Sequence, residues 1–297
     1  MKKIMFFTEN IWAFGSIHNA LCKMLYRYGV LAEIIDSRVQ YSVDDMKRIT
    51  RNCNYIICPP CAVSLLAKDY EVSPHKIIMV SHGQSELLLC LERLGKDIFN
   101  HVHDFAVVSD ILKQKAQEFG IPRIPKVLTI GVHYERYAKI PPLSLRSVGY
   151  AGILETNNYF GEEIKRGRLV MKACENAGLK FVGNGKNHYM AMPTFYEFVD
   201  CVVMSSTEES VGLPMLEAAC SGRLTIGTPV GYHAKNRNGV VVPIPEENFV
   251  NALTETLLYY KNNPDVFHKK CIEVQEFAKS HFDWEQNIQT WGDLLKS

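Results

Sequence analysis

Short apolar runs alternate along the chain with longer segments in which apolar residues recur every three or four positions. The first run, at residues 3–7, predicts a buried strand. Residues 16–28 then place apolar side chains on one helical face, with Ser16 as the predicted cap and Gly29 at the predicted end. Residues 31–35 predict a second strand, so the chain opens as strand, loop, helix and strand.

The same alternation continues along the rest of the chain. Further apolar runs predict strands at residues 55–58, 76–80, 105–108, 127–130, 147–149, 179–182, 201–204, 224–227 and 240–243. Helical patterns lie between the strands, and three more follow at residues 246–262, 264–280 and 284–297. Strands that alternate with helices imply parallel sheets with right-handed crossovers. Pro141-Pro142 interrupts the pattern and predicts a linker, which leaves two domains with a ligand cleft between them.

The composition indicates a folded protein without a strong charge. Apolar residues make up 47% of the 297 residues, which excludes global disorder. The net charge of +1 gives no general electrostatic argument for nucleic-acid binding. Residues 1–141 carry +4 and the remainder −3, so the first half is compatible with an anionic acceptor or an anionic membrane surface. Lys23 and Arg27 lie one turn apart on the first predicted helix and fit either such a surface or a solvated helix face.

The nine cysteines indicate a reducing compartment, because most lie in apolar runs typical of buried thiols. Cys58 and Cys61 form a C-x-x-C pair, but no second pair follows, so a zinc site is not expected. No apolar run reaches a membrane-spanning length, and the first residues lack a signal-peptide pattern. We therefore expect a cytoplasmic protein, with peripheral membrane contact as an open alternative.

Residues 205–219 carry the strongest candidate site. They follow the strand predicted at 201–204 and enter a helix with Pro214 near its first turn, where proline is tolerated. Glu209 lies in the loop and Glu217 lies one turn inside the helix. A helix N-terminus beside a glycine-containing loop can bind an anion, and carboxylates accept hydrogen bonds from ligand hydroxyls. Phosphate and polyol groups together indicate a nucleotide-sugar. The alternative is an ordinary strand-loop-helix unit with two solvated glutamates.

Two residues nearer the start of the chain are weaker candidates. His82 follows the strand predicted at 76–80, and parallel sheets bind ligands at the carboxyl ends of their strands. The alternative is a histidine that caps a neighbouring helix. Gly15 lies in the predicted loop before the first helix, where it fits either a phosphate contact or a simple tight turn, since the G-x-G-x-x-G pattern is absent.

Residues 209–219, with the sequence E-S-V-G-L-P-M-L-E-A-A, resemble the E-x7-E segment of retaining glycosyltransferases of family 4, which have the GT-B fold. Five other segments resemble motifs of that family in the same order, at residues 80–83, 130–137, 148–154 with Lys165, 181–185 and 282–285. The resemblance covers nearly the whole chain. It implies an α/β protein in which two Rossmann-like domains face a central cleft.

The same resemblance assigns the parts of the chain. Residues 1–141 would form the acceptor-side domain and residues 142–283 the nucleotide-sugar-binding domain. A final helix at 284–297 would pack back on the first domain.

The resemblance also implies a role for each candidate residue. Glu209 would contact the hydroxyls of the donor sugar, and Glu217 would contact the ribose. Lys165 would bind the pyrophosphate, and Arg166 or Arg168 would share that role. Fixed cations and helix N–H groups stabilise the charge that develops on a leaving nucleoside diphosphate, so neither a metal ion nor a cofactor is expected.

Further contacts follow from the same resemblance. The backbone of Val211, Gly212 and Leu213 would approach the sugar and the phosphates. His82 would lie near the 6-hydroxyl of the sugar, and Gly15 near the diphosphate or the acceptor. His82, Glu209 and Lys165 are the expected catalytic residues, and the expected donor is a UDP- or GDP-linked sugar.

The chain departs from the family pattern at three places. The arginine of the family falls on Ile153, or on Tyr150 in another alignment, and the aspartate of its NGVD motif is replaced by His133. Residues 231–233 lack the glutamate that follows in the family. Which cation replaces the arginine near Ile153 is left open between Arg166 and Arg168.

We therefore expect a retaining glycosyltransferase that moves a sugar from a nucleoside-diphosphate sugar to an acceptor hydroxyl, with a glycan or lipid-linked glycan as the favoured acceptor. Three alternatives stay open. One is a catalytically degenerate binding protein of the GT-B fold, to which the missing arginine points. The others are a transferase that acts on modified nucleic acid and a different GT-B enzyme such as a sugar-nucleotide epimerase.

Overall fold

The structure, a computed structural model, describes residues 1–184, 188–231, 241–244 and 247–296. It divides into a first unit, Met1–Ile130 with Ile288–Ser297, and a second unit, Gly131–Asn287. The predicted linker at Pro141-Pro142 therefore lies within the second unit. Six positions that the sequence patterns include lie outside the described residues: Gly185, Tyr232, His233, Val240, Glu246 and Ser297.

The first unit is built around a six-stranded parallel sheet in the order β2-β1-β3-β4-β5-β6. Its strands are β1 (Lys2–Thr8), β2 (Val30–Asp36), β3 (Tyr55–Cys58), β4 (Ile77–Ser81), β5 (Asp104–Val107) and β6 (Lys126–Val127). Its helices, numbered along the whole chain, are α1 (Trp12–Met24), α2 (Val43–Thr50), α3 (Gln84–Leu94), α4 (Ile98–His101), α5 (Asp110–Glu118) and α13 (Gln289–Lys296). Residues 4–7 of β1 are all buried, as expected for a parallel strand that is covered on both faces.

The second unit contains a five-stranded parallel sheet in the order β11-β10-β9-β7-β8. Its strands are β7 (Ser147–Tyr150), β8 (Lys180–Gly183), β9 (Cys201–Met204), β10 (Leu224–Gly227) and β11 (Val241–Pro243). Its helices are α6 (Tyr134–Tyr137), α7 (Gly167–Ala177), α8 (Met192–Glu197), α9 (Leu213–Cys220), α10 (Phe249–Asn262), α11 (Pro264–His281) and α12 (Trp284–Asn287). Val148 and Val203 from neighbouring strands belong to one buried cluster with Val170 of α7 and Leu253 of α10. The predicted α/β class with two Rossmann-like halves is thus confirmed.

The first helix begins earlier than the sequence predicts. It starts at Trp12, so Gly15 and Ser16 lie inside α1 and Ser16 does not cap it. The main-chain N–H of Gly15 donates to the carbonyl of Ile11 at 2.8 Å. The side chain of the residue before the helix makes no capping hydrogen bond, so the usual sequence signal for a helix start is missing.

Two other elements are shorter than predicted. The strand expected at 127–130 is confined to β6 because the N–H of Thr129 donates to the Thr290 hydroxyl at 3.0 Å rather than to a neighbouring strand. The single helix expected at 284–297 is two helices, α12 and α13, with Ile288 between them. The Asn287 side chain donates to the carbonyls of His281 and Asp283 and so ties the end of α12 to the residues before it.

Candidate functional site

The strand order of the second unit reverses between β7 and β9. From β7 the chain continues to β8 on one side of the sheet, and then returns to β9 on the other side. At such a point the segments that leave the two strands diverge, and ligands of open α/β sheets bind in the crevice between them. Tyr150 ends β7 and Met204 ends β9, so the loops that carry Lys165 and Glu209 both leave from this point.

Hydrogen bonds join these two loops. The main-chain carbonyl of Lys165 accepts from the Tyr150 hydroxyl at 2.8 Å and from the Ser205 hydroxyl at 2.6 Å. In return, Nε of Arg166 donates to the Ser205 carbonyl at 2.7 Å. Arg166 itself adopts a left-handed conformation with φ of 51° immediately before α7. The backbone of Lys165 is therefore held from both strands, which fixes where its side chain starts.

Lys165 and Glu209 form an ion pair at this junction, between Nζ and Oε1. The Ser206 hydroxyl donates to the same Oε1 at 2.9 Å. The two side chains are 29% and 19% exposed, so both are largely withdrawn from solvent yet reachable by a ligand. A lysine here can bind a phosphate as a point charge, and the carboxylate can accept hydrogen bonds from hydroxyls.

The N-terminus of α9 lies close behind Glu209 in the chain. Gly212 has φ of 72° at the residue before the helix, and Pro214 occupies the first turn, where its missing N–H costs no hydrogen bond. Val211 and Leu213 are buried. The partial positive charge of a helix N-terminus thus adds to the cationic side of the junction.

Glu217 is enclosed and is not at the junction surface. It is 3% exposed, and its two carboxylate oxygens accept from the hydroxyls of Tyr137 at 2.7 Å and Tyr196 at 2.9 Å. Burial raises the pKa of this carboxyl to about 7, although the two tyrosine hydrogen bonds act in the opposite direction. The contact with ribose stays a prediction. Any such contact would have to use lone pairs of the carboxyl that do not accept from the two tyrosine hydroxyls.

The two arginines next to Lys165 have different surroundings. The guanidinium of Arg166 lies over the Phe249 ring, 5.4 Å from its centroid, and bonds to the β9 loop. Arg168 is mostly exposed and forms an ion pair with Glu155. Ile153, at the position of the family arginine, is 44% exposed. Of the two alternatives, Arg166 is therefore the one fastened to the junction.

His82 lies in the first unit, directly after β4. Its ring contacts that of Phe14 edge-on at 5.1 Å and lies 5.8 Å from the ring of His18. Burial lowers the pKa of His82 to about 3 and that of His18 to about 4, so both rings are uncharged at neutral pH. The predicted contact of His82 with the donor sugar stays a prediction.

The sheet of the first unit also reverses its strand order, between β1 and β3. A cavity of about 460 Å³ opens at the carboxyl ends of these strands, lined in part by Glu9, Cys58, His82 and Glu86. Gly15 does not lie in a loop there, and its N–H is already used within α1. The predicted loop at Gly15 is therefore wrong, because Gly15 lies inside α1, and its position near the diphosphate or the acceptor stays a prediction.

Within the described part of the chain, no three His, Cys, Asp or Glu side chains cluster in a way that could hold a metal ion. The described helices also include none that is long and apolar enough to cross a bilayer.

The family model described as Glycosyl transferases group 1 matches residues 104–259, slightly more than half of the chain. The chain belongs to this family. No curated protein matches the sequence.

Solved structures agree on the fold of this glycosyltransferase. HepE from Anabaena, in complex with UDP and glucose, is 13% identical over 100% of both chains with a TM-score of 0.69. The sucrose-phosphate synthase of Thermosynechococcus elongatus is 12% identical over 100% of this chain and 98% of that one, with a TM-score of 0.71. TarM from S. aureus, in complex with fondaparinux, α-GlcNAc-glycerol and UDP, is 14% identical over 86% of this chain and 58% of that one, with a TM-score of 0.63. At these identities the similarity is one of fold, and the fold is GT-B, as the sequence predicts.

Sequence reasoning missed several residues of this site. Tyr137 and Tyr196, which bond Glu217, lie 80 and 21 positions away from it, and no local pattern joins them. Ser206 was not detectable, because its hydrogen bond to the Glu209 side chain lies in a loop and not at a helix cap. Glu86 was detectable as an acidic residue in the first turn of α3, where carboxylates are favoured.

Proposed function

We propose that the protein is a retaining glycosyltransferase that moves a sugar from a nucleoside-diphosphate sugar to an acceptor hydroxyl. The observation that carries this proposal is the Lys165–Glu209 pair at the strand-order reversal between β7 and β9. Family membership supports transfer of a glycosyl group. HepE was solved with UDP-glucose, so a uridine diphosphate sugar is the first donor to test, with GDP-linked sugars second.

When the donor binds, the ion pair between Lys165 and Glu209 breaks and each side chain binds a different part of the donor. Nζ of Lys165 then donates to the diphosphate, and the carboxylate of Glu209 accepts from the hydroxyls of the sugar. Each side chain thus exchanges one polar contact for another. As the glycosidic bond breaks, negative charge grows on the leaving diphosphate. Lys165, Arg166 and the N-terminus of α9 stabilise that charge, and no metal ion or cofactor is required for this step.

The retained configuration rests on the resemblance of residues 209–219 to the E-x7-E segment of retaining glycosyltransferases. The leaving phosphate assists removal of the proton from the acceptor hydroxyl on the same face of the sugar. Glu217 contacts the ribose through the lone pairs that its tyrosine partners do not use. The favoured acceptor is a glycan or a lipid-linked glycan. Glycan-like molecules bound to TarM, fondaparinux and α-GlcNAc-glycerol, give this class of acceptor its support.

The test is product formation by four single variants. Glu209→Gln and Lys165→Met remove the proposed contacts, while Glu208→Gln and Lys172→Met make the same chemical changes at the neighbouring residue and on the exposed face of α7. Loss of one charge-assisted contact to the donor is worth about 2–4 kcal/mol, so we expect transfer to fall by roughly 30- to 1,000-fold in the first two variants only. Proton NMR of the product gives the anomeric configuration. Turnover like that of the wild type in both site variants would refute the proposal.

A second candidate function is a binding protein that has lost catalysis. Ile153 favours it, because an aliphatic side chain stands where the family pattern has a phosphate-binding arginine. That function predicts nucleotide-sugar binding without hydrolysis or transfer. Release of nucleoside diphosphate by the purified protein excludes it.

A further inference from the structure

The cavity of the first unit contains more acidic than basic side chains. It is lined by Glu9 and Glu86 and by one guanidinium, that of Arg93. The two histidines of its wall, His18 and His82, are uncharged at neutral pH because burial lowers their pKa values to about 4 and about 3. A phosphate or carboxylate placed here would meet two carboxyl groups for each guanidinium. Sites for anions usually have the opposite balance.

The N-terminus of α3 is also occupied by the protein itself. Glu86, in the first turn of this helix, accepts at Oε2 from the main-chain N–H of His82 at 2.7 Å and from the Ser81 hydroxyl at 3.2 Å. Helix N-termini attract anions because their N–H groups and dipole point outward. Here a side-chain carboxylate already lies beside that position and offsets the dipole, so a phosphate would meet a carboxyl group there.

The carboxyl of Glu86 nevertheless faces the cavity. Its Oε2 accepts from the Ser81 hydroxyl and the His82 N–H, and the main-chain N–H of Gly83 also donates to the carboxyl. A carboxylate has about four lone-pair sites, so it can accept one more hydrogen bond from a ligand hydroxyl. Burial raises the pKa of this carboxyl to about 7, so at neutral pH it exchanges between a form that only accepts hydrogen bonds and a form that also donates one. Both forms suit a hydroxyl, which is itself a donor and an acceptor.

Most of the remaining wall is apolar, with the aromatic rings of Phe7 and Phe14 and aliphatic side chains such as Ile57 and Val80, and the hydroxyl residues Thr8 and Ser37 complete it. A wall of this kind, with a few polar groups, is typical of sites for small organic ligands, and about 460 Å³ lies within the usual range of 300–1,000 Å³. It can cover the C–H face of a saturated ring while Glu86 binds its hydroxyls.

We propose that this cavity binds an uncharged, hydroxyl-bearing ring of the acceptor, and that Glu86 accepts a hydrogen bond from one of its hydroxyls. This inference rests on the proposed glycosyl transfer and narrows its acceptor to a neutral sugar rather than a phosphorylated or carboxylated one. The proposed acceptor contact, Glu86, lies in the first unit, whereas the proposed donor contacts Lys165 and Glu209 lie in the second.

The test is a binding titration of the full-length protein with matched probes. A panel of methyl glycosides represents neutral rings, and the corresponding sugar 6-phosphates and uronic acids represent anionic ones. We expect at least one methyl glycoside to bind at least about tenfold more tightly than its anionic counterparts. Equal or tighter binding of the anionic sugars would overturn the proposal, and so would the absence of binding by every methyl glycoside.

Two variants and one control test whether Glu86 and this cavity bind the methyl glycoside. Glu86→Ala removes the proposed acceptor atom, and Ala62→Phe fills the cavity from another wall without touching Glu86. Both should weaken binding of the methyl glycoside by at least about tenfold. Glu92→Gln changes an exposed glutamate of the same helix and should leave the affinity unchanged. Wild-type affinity in both Glu86→Ala and Ala62→Phe would refute the assignment of this cavity. Because the two substitutions lie on different walls, each variant tests the assignment if the other fails to fold.

A parallel titration with UDP separates the two proposals. UDP binding without any glycoside binding overturns the inference about the cavity and leaves the proposed function standing. Failure of every nucleoside diphosphate and nucleotide-sugar to bind counts against the proposed function itself.

Discussion

Replacement of Glu217 by glutamine should make the protein more stable at alkaline pH and leave its stability nearly unchanged at acidic pH. The carboxyl is 3% exposed and bonded by two tyrosine hydroxyls. Burial raises its pKa from an ordinary value of 4.5 to about 7. The folded state therefore holds the proton of Glu217 more tightly than the unfolded chain does.

The sign and size of the effect follow from this pKa. The stability contributed by protonated Glu217 is fully present below about pH 4.5 and is lost as the pH rises to about 7. At about 1.4 kcal/mol per pH unit, this interval corresponds to about 3 kcal/mol of unfolding free energy. Glutamine resembles the protonated acid in shape and stays uncharged, so Glu217→Gln should avoid that loss. Its amide can donate to the Tyr196 oxygen while the Tyr196 hydroxyl keeps its bond to the Pro214 carbonyl.

Urea denaturation followed by circular dichroism, at a series of pH values from 4.5 to 8, measures this difference. The variant should match the wild type to within about 1 kcal/mol at pH 4.5 and exceed it by about 3 kcal/mol at pH 8. Comparison with Glu255→Gln, which removes an exposed carboxylate from α10, controls for the loss of one negative charge. A difference that does not change with pH, or a variant that is less stable than the wild type at pH 8, would show that Glu217 is not a buried carboxyl of raised pKa.

Two further predictions concern the other buried groups. Gly167→Ala should destabilise the second unit by about 1–3 kcal/mol and weaken nucleotide binding at the adjacent Lys165, because the new Cβ would lie 2.9 Å from the backbone of Leu154. Gly161→Ala is the comparison for binding, since its φ of 83° also strains an alanine but its Cβ would contact nothing. Equal nucleotide affinities in the two variants would contradict the expectation. His18→Asn should make the protein less sensitive to acid, since burial lowers the pKa of His18 from 6.5 to about 4. The wild type therefore loses up to about 3 kcal/mol of unfolding free energy as the pH falls through that interval. Identical acid unfolding of the variant and the wild type would contradict this prediction.

The sequence was sufficient for the fold because the signals involved are local. Apolar runs such as residues 201–204 and helical patterns such as 264–280 each appear within a short window, and their alternation implies parallel sheets. The start of α1 was not predictable in the same way. Trp12 opens this helix with φ of 46°, a conformation that bulky residues seldom adopt, and no capping side chain marks the position.

The residues of the candidate site also differ in whether local sequence signals predict them. Lys165 and Glu209 could be paired in advance because both follow strands that meet at one edge of a sheet and both match a family motif. The enclosure of Glu217 could not, because it depends on tyrosines far away in sequence that pack around it only in the folded chain. The acidic balance of the first-unit cavity has the same origin, since Glu9 follows β1 while Glu86 and Arg93 lie on α3, far away in sequence.

The most direct test of the account is a calorimetric titration of UDP, UDP-glucose and GDP-mannose into the wild type, Lys165→Met and Lys172→Met. If Lys165 binds the donor diphosphate, at least one of these ligands binds the wild type, and Lys165→Met weakens that binding by at least about tenfold. Lys172→Met removes an exposed lysine of α7 and keeps the wild-type affinity. A wild type that binds none of the three ligands, or a Lys165→Met variant that binds them as tightly as the wild type, would contradict the assignment of this junction as the nucleotide-sugar site.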